Sequence, residues 1–293
     1  MKTVLVTGGS GQLGRELARA RWPAGWQVRA TTRNELDLAR PEAVAAAVAA
    51  QSYAAIINAG AYTAVDKAEA EPLAAWMVNA LAPAALARAA RDAGIPIVQV
   101  STDYVFDGSG IAAWTPGAPT GPLGVYGASK LGGEWAVRTS GARHAIVRTS
   151  WVVSANGSNF VQTMLRLAAE RDELRVVEDQ VGAPTSAADL AVALVGITVA
   201  MSEGAQSGVW HYANAGEVSW RGFAETIFRQ SGIRGGPSAR VMGIPTSEYP
   251  TPARRPLNSR LDCSDTIRDF GVVQRPWQDG LGDILDDLIG PAR

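Results

Sequence analysis

Thr3-Val4-Leu5-Val6-Thr7-Gly8-Gly9-Ser10-Gly11-Gln12-Leu13-Gly14 runs from a β-branched apolar segment straight into glycines at three-residue intervals, Gly8, Gly11 and Gly14. An apolar run of this length reads as a buried strand, and the Leu- and Ala-rich stretch that follows reads as a helix. A turn bare of side chains lets backbone amides approach a pyrophosphate, while the helix directs its positive N-terminal end there. That order opens a dinucleotide-binding unit, and it makes Gly8, Ser10, Gly11, Gln12, Leu13 and Gly14 candidate cofactor contacts.

Working outward, similar runs recur at Gln27–Thr31, Ala54–Asn58, Ile97–Ser101 and Ala145–Thr149, separated by Ala-rich helical stretches. Strands alternating with crossover helices give a parallel sheet covered on both faces, so the fold class is α/β, a Rossmann-type doubly wound sheet. Pro41 suits a first helical turn, and Gly94 and Pro96 stop the helix before Ile97. Past Trp151 the rhythm loosens into a helix near Asn159–Arg171, a strand near Leu174–Val177 and a helix opened by Ser186-Ala-Ala-Asp189, a capping box with Asp in place of Glu. Residues 1–150 are therefore assigned to the cofactor-binding domain, with later segments returning to it. Residues 151–293 are assigned mainly to a smaller C-terminal substrate-binding lobe, ordered through the Pro-, Gly- and Arg-rich segment 235–256.

The 293 residues carry a net charge of −1, with no basic field for a polyanion, which argues against nucleic acid as the main partner. The start lacks the apolar region of a signal peptide and no run reads as a membrane span, so a cytoplasmic protein is expected. One cysteine, Cys263, excludes an internal disulfide and reads as a small buried residue. His144 and His211 lie far apart in apolar stretches and read as packing rather than metal ligands.

The second strand ends Val28-Arg29-Ala30-Thr31-Thr32-Arg33, without the carboxylate that would grip an adenosine 2′-hydroxyl. Arg33, with Arg29, offers a partner for a 2′-phosphate, giving an expectation of NADPH with NADH still open; a solvated arginine at a strand end is the alternative. Asp37 and Leu38 are placed beside the adenine. Ala59, Ala61, Tyr62 and Thr63, at and beyond the end of the third strand, are placed where the cofactor's centre crosses the sheet.

Tyr126-Gly-Ala-Ser-Lys130 puts a phenol and an amine four residues apart, on one face of a helix. With six tyrosines and three lysines, about 0.06 such pairs are expected by chance, so coincidence explains it poorly. The pairing suits proton transfer: a phenol delivers the proton, and a nearby ammonium lowers its pKa of roughly 10.

Together with Ser101-Thr102-Asp103-Tyr104-Val105-Phe106-Asp107-Gly108, Asp179-Gln180-Val181-Gly182-Ala183-Pro184-Thr185 and Arg254-Arg255-Pro256-Leu257-Asn258-Ser259, these stretches resemble the dTDP-4-dehydrorhamnose reductases, within the extended short-chain dehydrogenases/reductases. The resemblance covers nearly the whole chain and departs at Gly60, where alanine is expected. It implies a catalytic group of Thr102, Tyr126 and Lys130, with Tyr126 as acid, Lys130 also holding the nicotinamide ribose, and Thr102 orienting the carbonyl. It implies a dTDP-linked 4-keto-6-deoxy sugar as substrate, met by Thr102, Asp103, Tyr126, Trp151, Arg254 and Arg255. Some members use magnesium at a dimer contact, and Glu16 and Asp189 stand at plausible positions; two helix-borne carboxylates do not build a magnesium site, so no metal ligands are assigned and a homodimer stays open. Two other readings remain: a 4-ketoreductase for a different nucleotide-linked deoxysugar, and a non-catalytic NADP-binding regulatory subunit.

Overall fold

Alternation along the first strand sets the layers. In the computed structural model, which describes residues 1–292, Val4 and Val6 face one hydrophobic core and Leu5 the other. All three are fully buried, each contributing about 1.5–3 kcal/mol relative to an exposed side chain. Ile57, Val98 and Val147 join the first core, against Leu13, Leu17 and the helix Ala187–Ser202. Ile56, Ile97 and Ile146 join the second, against Val44, Leu86 and Val137. Two covered faces explain why these strands read as continuous apolar runs.

The strands are β1 (Lys2–Thr7), β2 (Trp26–Ala30), β3 (Ala55–Asn58), β4 (Ile97–Thr102) and β5 (His144–Thr149). All pair in parallel, and a sixth strand, Gly208–His211, returns from the second half to pair with β5, giving the order Gly208–His211, β5, β4, β3, β1, β2. β3 is buried along its whole length and β2, at one edge, is the least buried. The order reverses beside β1, with β2 on one side and β3 on the other, so a ligand crevice belongs beyond the carboxyl ends there. The helices of this half are α1 (Gln12–Arg19), α2 (Pro41–Ala49), α3 (Val65–Ala70), α4 (Pro72–Trp76), α5 (Ala82–Asp92) and α6 (Val125–Thr139).

A π-turn at Met77–Leu81 joins α4 to α5. The whole run Pro72–Asp92 is long and apolar enough to cross a membrane. Here it lies against the sheet, with Ala82, Leu86, Ala87 and Ala90 in the second core. Cys263 is buried, and burial pushes its thiol up to about 12. His211 is fully buried beside Arg148; burial and that guanidinium push it down to about 3.

The lobe has its own core, built on Phe223, Ile227, Trp277 and Leu281. Asn159 caps the helix Phe160–Ala168 through Gln162 N, and Ser186 accepts from Asp189 N to cap Ala187–Ser202. The capping box is half formed. Ser186 N donates to Asn214 instead of to Asp189, whose carboxylate is held by Asn214 and Arg275. Asn258 and Ser259 pair with Val181 and Gly182, and Asn258 N donates to the Gly108 carbonyl. Three stretches singled out in the sequence thus meet at one place.

Candidate active site

Gly8 has φ +70°, and a Cβ there would lie 2.7 Å from the Gly60 backbone. At Gly14 a Cβ would lie 2.2 Å from the Gly8 carbonyl oxygen. The glycines therefore serve close packing as much as conformational freedom. The α1 N-cap, Gly11, supplies no side-chain hydrogen bond, leaving the first helical amides and the positive helix end for an anion. Gln12 binds the turn to the lobe, its Oε1 accepting from Ser154 Oγ at 3.1 Å and Asn159 Nδ2 at 2.9 Å.

The turn opens onto a crevice of about 1170 Å³. Gly8, Ser10, Gly11, Gln12, Leu13, Arg33, Asp37, Leu38, Ala59, Ala61, Tyr62 and Thr63 line one stretch of its wall; Thr102, Asp103, Tyr126, Lys130 and Trp151 line another. Gly14 lies behind the turn, and Arg254 and Arg255 stand outside the wall. Arg33, highly exposed, sits at the rim 3.5 Å from Asp37. Arg29 turns to Glu35 instead.

Thr102 ends β4, and Tyr126 and Lys130 come from the first turns of α6. Lys130 Nζ donates to the Val100 carbonyl at 2.7 Å, and burial pulls the amine down to about 8 against the pull of Glu134. The phenol behaves differently from the sequence expectation. Burial pushes Tyr126 up to about 12, the Thr102 hydroxyl opposing and the Asp103 charge adding. Desolvation, rather than the ammonium, governs the phenol, so Tyr126 holds its proton at neutral pH, as a general acid must. An edge-on contact with Tyr104, centroids 5.5 Å apart, fixes the ring.

A full-length match then joins this geometry: residues 1–289 fit the family described as RmlD substrate binding domain. The chain is 42% identical to dTDP-4-dehydrorhamnose reductase of Escherichia coli over 293 residues, 98% of each protein. Against that of Burkholderia thailandensis it is 44% identical over 297 residues, 98% of this chain and 99% of the other. The chain belongs to the dTDP-4-dehydrorhamnose reductase family. The crystal structure of such a reductase from Bacillus anthracis, in complex with NADP, superposes with a TM-score of 0.89 at 35% identity, covering 97% of this chain and 99% of that one. One from Clostridium acetobutylicum gives 0.90 at 37%, covering 97% and 98%.

The wall formed by Thr102, Asp103 and Trp151 has a defined geometry. Asp103 is buried; its Oδ1 accepts from Thr102 Oγ at 3.0 Å, and its Oδ2 has no partner. Burial pushes its carboxyl up to about 6. Trp151 is the one described non-glycine residue with positive φ, +48°. It stacks on Trp220 at 3.6 Å between centroids. A bulky residue in the left-handed region costs free energy and persists where its surroundings enforce it, which is common at ligand sites. Arg255 clamps Asp66 through both Nη atoms, at 3.0 and 2.8 Å, while Arg254 is exposed.

Several contributors lie outside the residues assigned from the sequence. Thr7 Oγ donates to Asn58, Asn58 Nδ2 to Gln99 Oε1 at 2.8 Å, and Gln99 Nε2 to the Val100 carbonyl that also holds Lys130. Asn79, inside the π-turn, fixes Tyr62 at both backbone groups. Phe160 and Trp220 of the lobe join the wall. Alternation could have flagged Asn58 and Gln99 as polar side chains in apolar strands.

Asn156 and Arg19 lie against Glu16, and Asn214 and Arg275 engage Asp189. Among the described residues no three His, Cys, Asp or Glu side chains gather.

Proposed function

We propose that this chain reduces the C4 ketone of dTDP-4-dehydro-6-deoxy-L-mannose, giving dTDP-L-rhamnose, with NADPH as the preferred reductant. The observation that carries the reading is the convergence of Thr102, Tyr126 and Lys130 in one crevice with the glycine turn. The open amides of α1 and the closely packed glycines suit a pyrophosphate, so the residues present fit a dinucleotide. Arg33 at the rim is the cation for a 2′-phosphate, and Asp37 and Leu38 flank the adenine. A cytoplasmic setting goes with these charged reactants.

The cofactor supplies hydride; the chain does the rest. As charge builds on the ketone oxygen, the Tyr126 phenol donates its proton and Thr102 Oγ orients the carbonyl. The Lys130 ammonium, anchored on Val100, faces the ribose and stabilises the phenolate left behind. Asp103, whose Oδ1 holds Thr102 Oγ in the crevice wall, is the carboxylate offered to a sugar hydroxyl. The rigid Trp151–Trp220 stack gives the sugar an apolar wall. Arg254 and Arg255 reach the diphosphate only if the lobe closes; unchanged hydrogen exchange at 254–259 on adding both ligands would remove them from the site.

The test is loss of reduced-nicotinamide absorbance with the keto sugar generated in the same tube, NADPH and NADH assayed separately. Rapid oxidation, faster with NADPH, is expected. About tenfold better turnover with NADH would overturn the role given to Arg33. Cofactor binding without oxidation would move the assignment first to another nucleotide-linked keto sugar, then to a binding-only regulatory subunit.

A further inference from the structure

Behind the catalytic lysine lies a buried charged cluster that the chemistry above does not use. Glu134 is one helical turn beyond Lys130 on α6, and it is 1% exposed. Residues four apart on a helix share a face, so its carboxylate lies on the side of α6 that carries the ammonium. Both groups are held by consecutive residues of β4. The Val100 carbonyl takes Lys130 Nζ, and Ser101 Oγ donates to Glu134 Oε1 at 2.5 Å. From β5, Arg148 completes the clamp, Nε to Oε1 at 2.9 Å and Nη2 to Oε2 at 2.7 Å. The guanidinium is tied in turn to the Pro116 carbonyl at 3.1 Å and lies over the Phe106 ring. Three donors, two on Oε1 and one on Oε2, thereby fix one carboxylate rotamer.

A buried ion pair of this kind is weak evidence of a stabilising role, because apolar residues of the same volume often do as well. Its position suggests a different purpose. We propose that Glu134 is a positioning residue for the reaction: locked by Arg148 and Ser101, its carboxylate is the fixed counter-charge that keeps the Lys130 ammonium charged and aimed at the crevice. The proposal rests on the reading of Lys130 as the cation beside phenol and cofactor.

The charges around α6 leave Glu134 as the one acting on Lys130. On α6 itself Tyr126 is neutral at working pH, and Arg138 is exposed, over the Trp135 ring. From the turn Asp103–Val105 come Asp103, which engages Thr102, and Tyr104, neutral through burial. From β5, Arg148 stands behind the carboxylate, and buried His211 behind Arg148 is neutral. On α3, Asp66 pairs with Arg255, Lys67 with Glu71, and Glu69 accepts from Val125 N. Arg88, Arg91 and Asp92 of α5 are exposed, and α4 and the π-turn carry no titratable side chain.

The chain has only three lysines, Lys2, Lys67 and Lys130, so the test is direct. Protein labelled with ¹³C at lysine Cε gives three resonances, that of Lys130 being the one lost in Lys130→Arg, and their titration is followed from roughly pH 6 to 11. Glu134→Gln leaves Arg148 facing the ammonium unopposed and should lower the Lys130 midpoint by at least about one pH unit. Glu134→Gln with Arg148→Met removes both charges and preserves volume; it should fold even if the single variant does not, and lower the midpoint by less. That ordering follows from charge and would not follow from packing. A Lys130 midpoint within about 0.2 unit of wild type in the folded double variant overturns the proposal. The alkaline limb of kcat/KM should move with the midpoint. If the midpoint moves and the limb does not, the role of Glu134 stands and the catalytic reading of Lys130 fails.

Discussion

Gly14→Ala asks whether the glycine turn is built as tightly as the structure indicates. The added Cβ would stand 2.2 Å from the Gly8 carbonyl oxygen, 2.7 Å from Gly9 Cα and 2.8 Å from the Gly8 carbonyl carbon. All three are backbone atoms, so no side chain can swing aside. Ordinary contact begins near 3.4 Å, and the turn must retreat by about 1.2 Å. Forcing one carbon into such a site costs about 1–3 kcal/mol, and each kcal/mol lowers Tm by roughly 2–4 °C in a chain of this size. The same retreat would carry the Gly8–Gly11 amides away from the proposed pyrophosphate site. A lost hydrogen bond to a charged group costs about 1.5–3 kcal/mol, which is roughly a tenfold to hundredfold rise in the NADPH Kd. Calorimetric titration with NADPH and a thermal melt read the two effects. Gly117→Ala is the control, since a Cβ there meets nothing within 4 Å. A Gly14→Ala protein with wild-type Tm and an NADPH Kd within about twofold of wild type would refute the packing argument and the pyrophosphate site together.

Tyr126→Phe keeps the ring against Tyr104 and removes only the proton donor; kcat should fall by about 10²–10⁴-fold with NADPH affinity almost unchanged, as read by steady-state kinetics and titration. In the proposed mechanism Lys130 acts as its ammonium, and burial pulls its pKa down to about 8, so kcat/KM should hold level below that pH and fall above it in a pH–rate profile. Gly196, exposed on the helix Ala187–Ser202, has open space where a Cβ would sit. Gly196→Ala should therefore stabilise the protein by about 0.5–1 kcal/mol, visible as a Tm raised by roughly 1–4 °C.

The cofactor half was legible because its information is local. β1, the glycine spacing and the helix after it are neighbours in sequence, and all five expected strands lie within two residues of their observed limits. The sixth strand, Gly208–His211, escaped notice because four residues ending in a buried histidine carry little apolar signal. Long-range pairings were also hidden. Nothing near Glu134 announces Arg148, and nothing near Gln12 announces Ser154 and Asn159. The positive φ of Trp151 is a tertiary property that its sequence neighbours do not encode. The tuning of Tyr126 by Lys130 was expected from spacing alone, whereas burial, which spacing does not reveal, dominates the phenol.

The central claim is that this crevice delivers hydride to C4 of the keto sugar while Tyr126 protonates the oxygen. It is tested most directly by running the reaction with NADPH deuterated at one or the other C4 position and locating the label in the product by NMR. Deuterium at C4 of dTDP-L-rhamnose, from one of the two cofactors only, is the expected result. Label at another carbon, or from neither cofactor despite turnover, would contradict it.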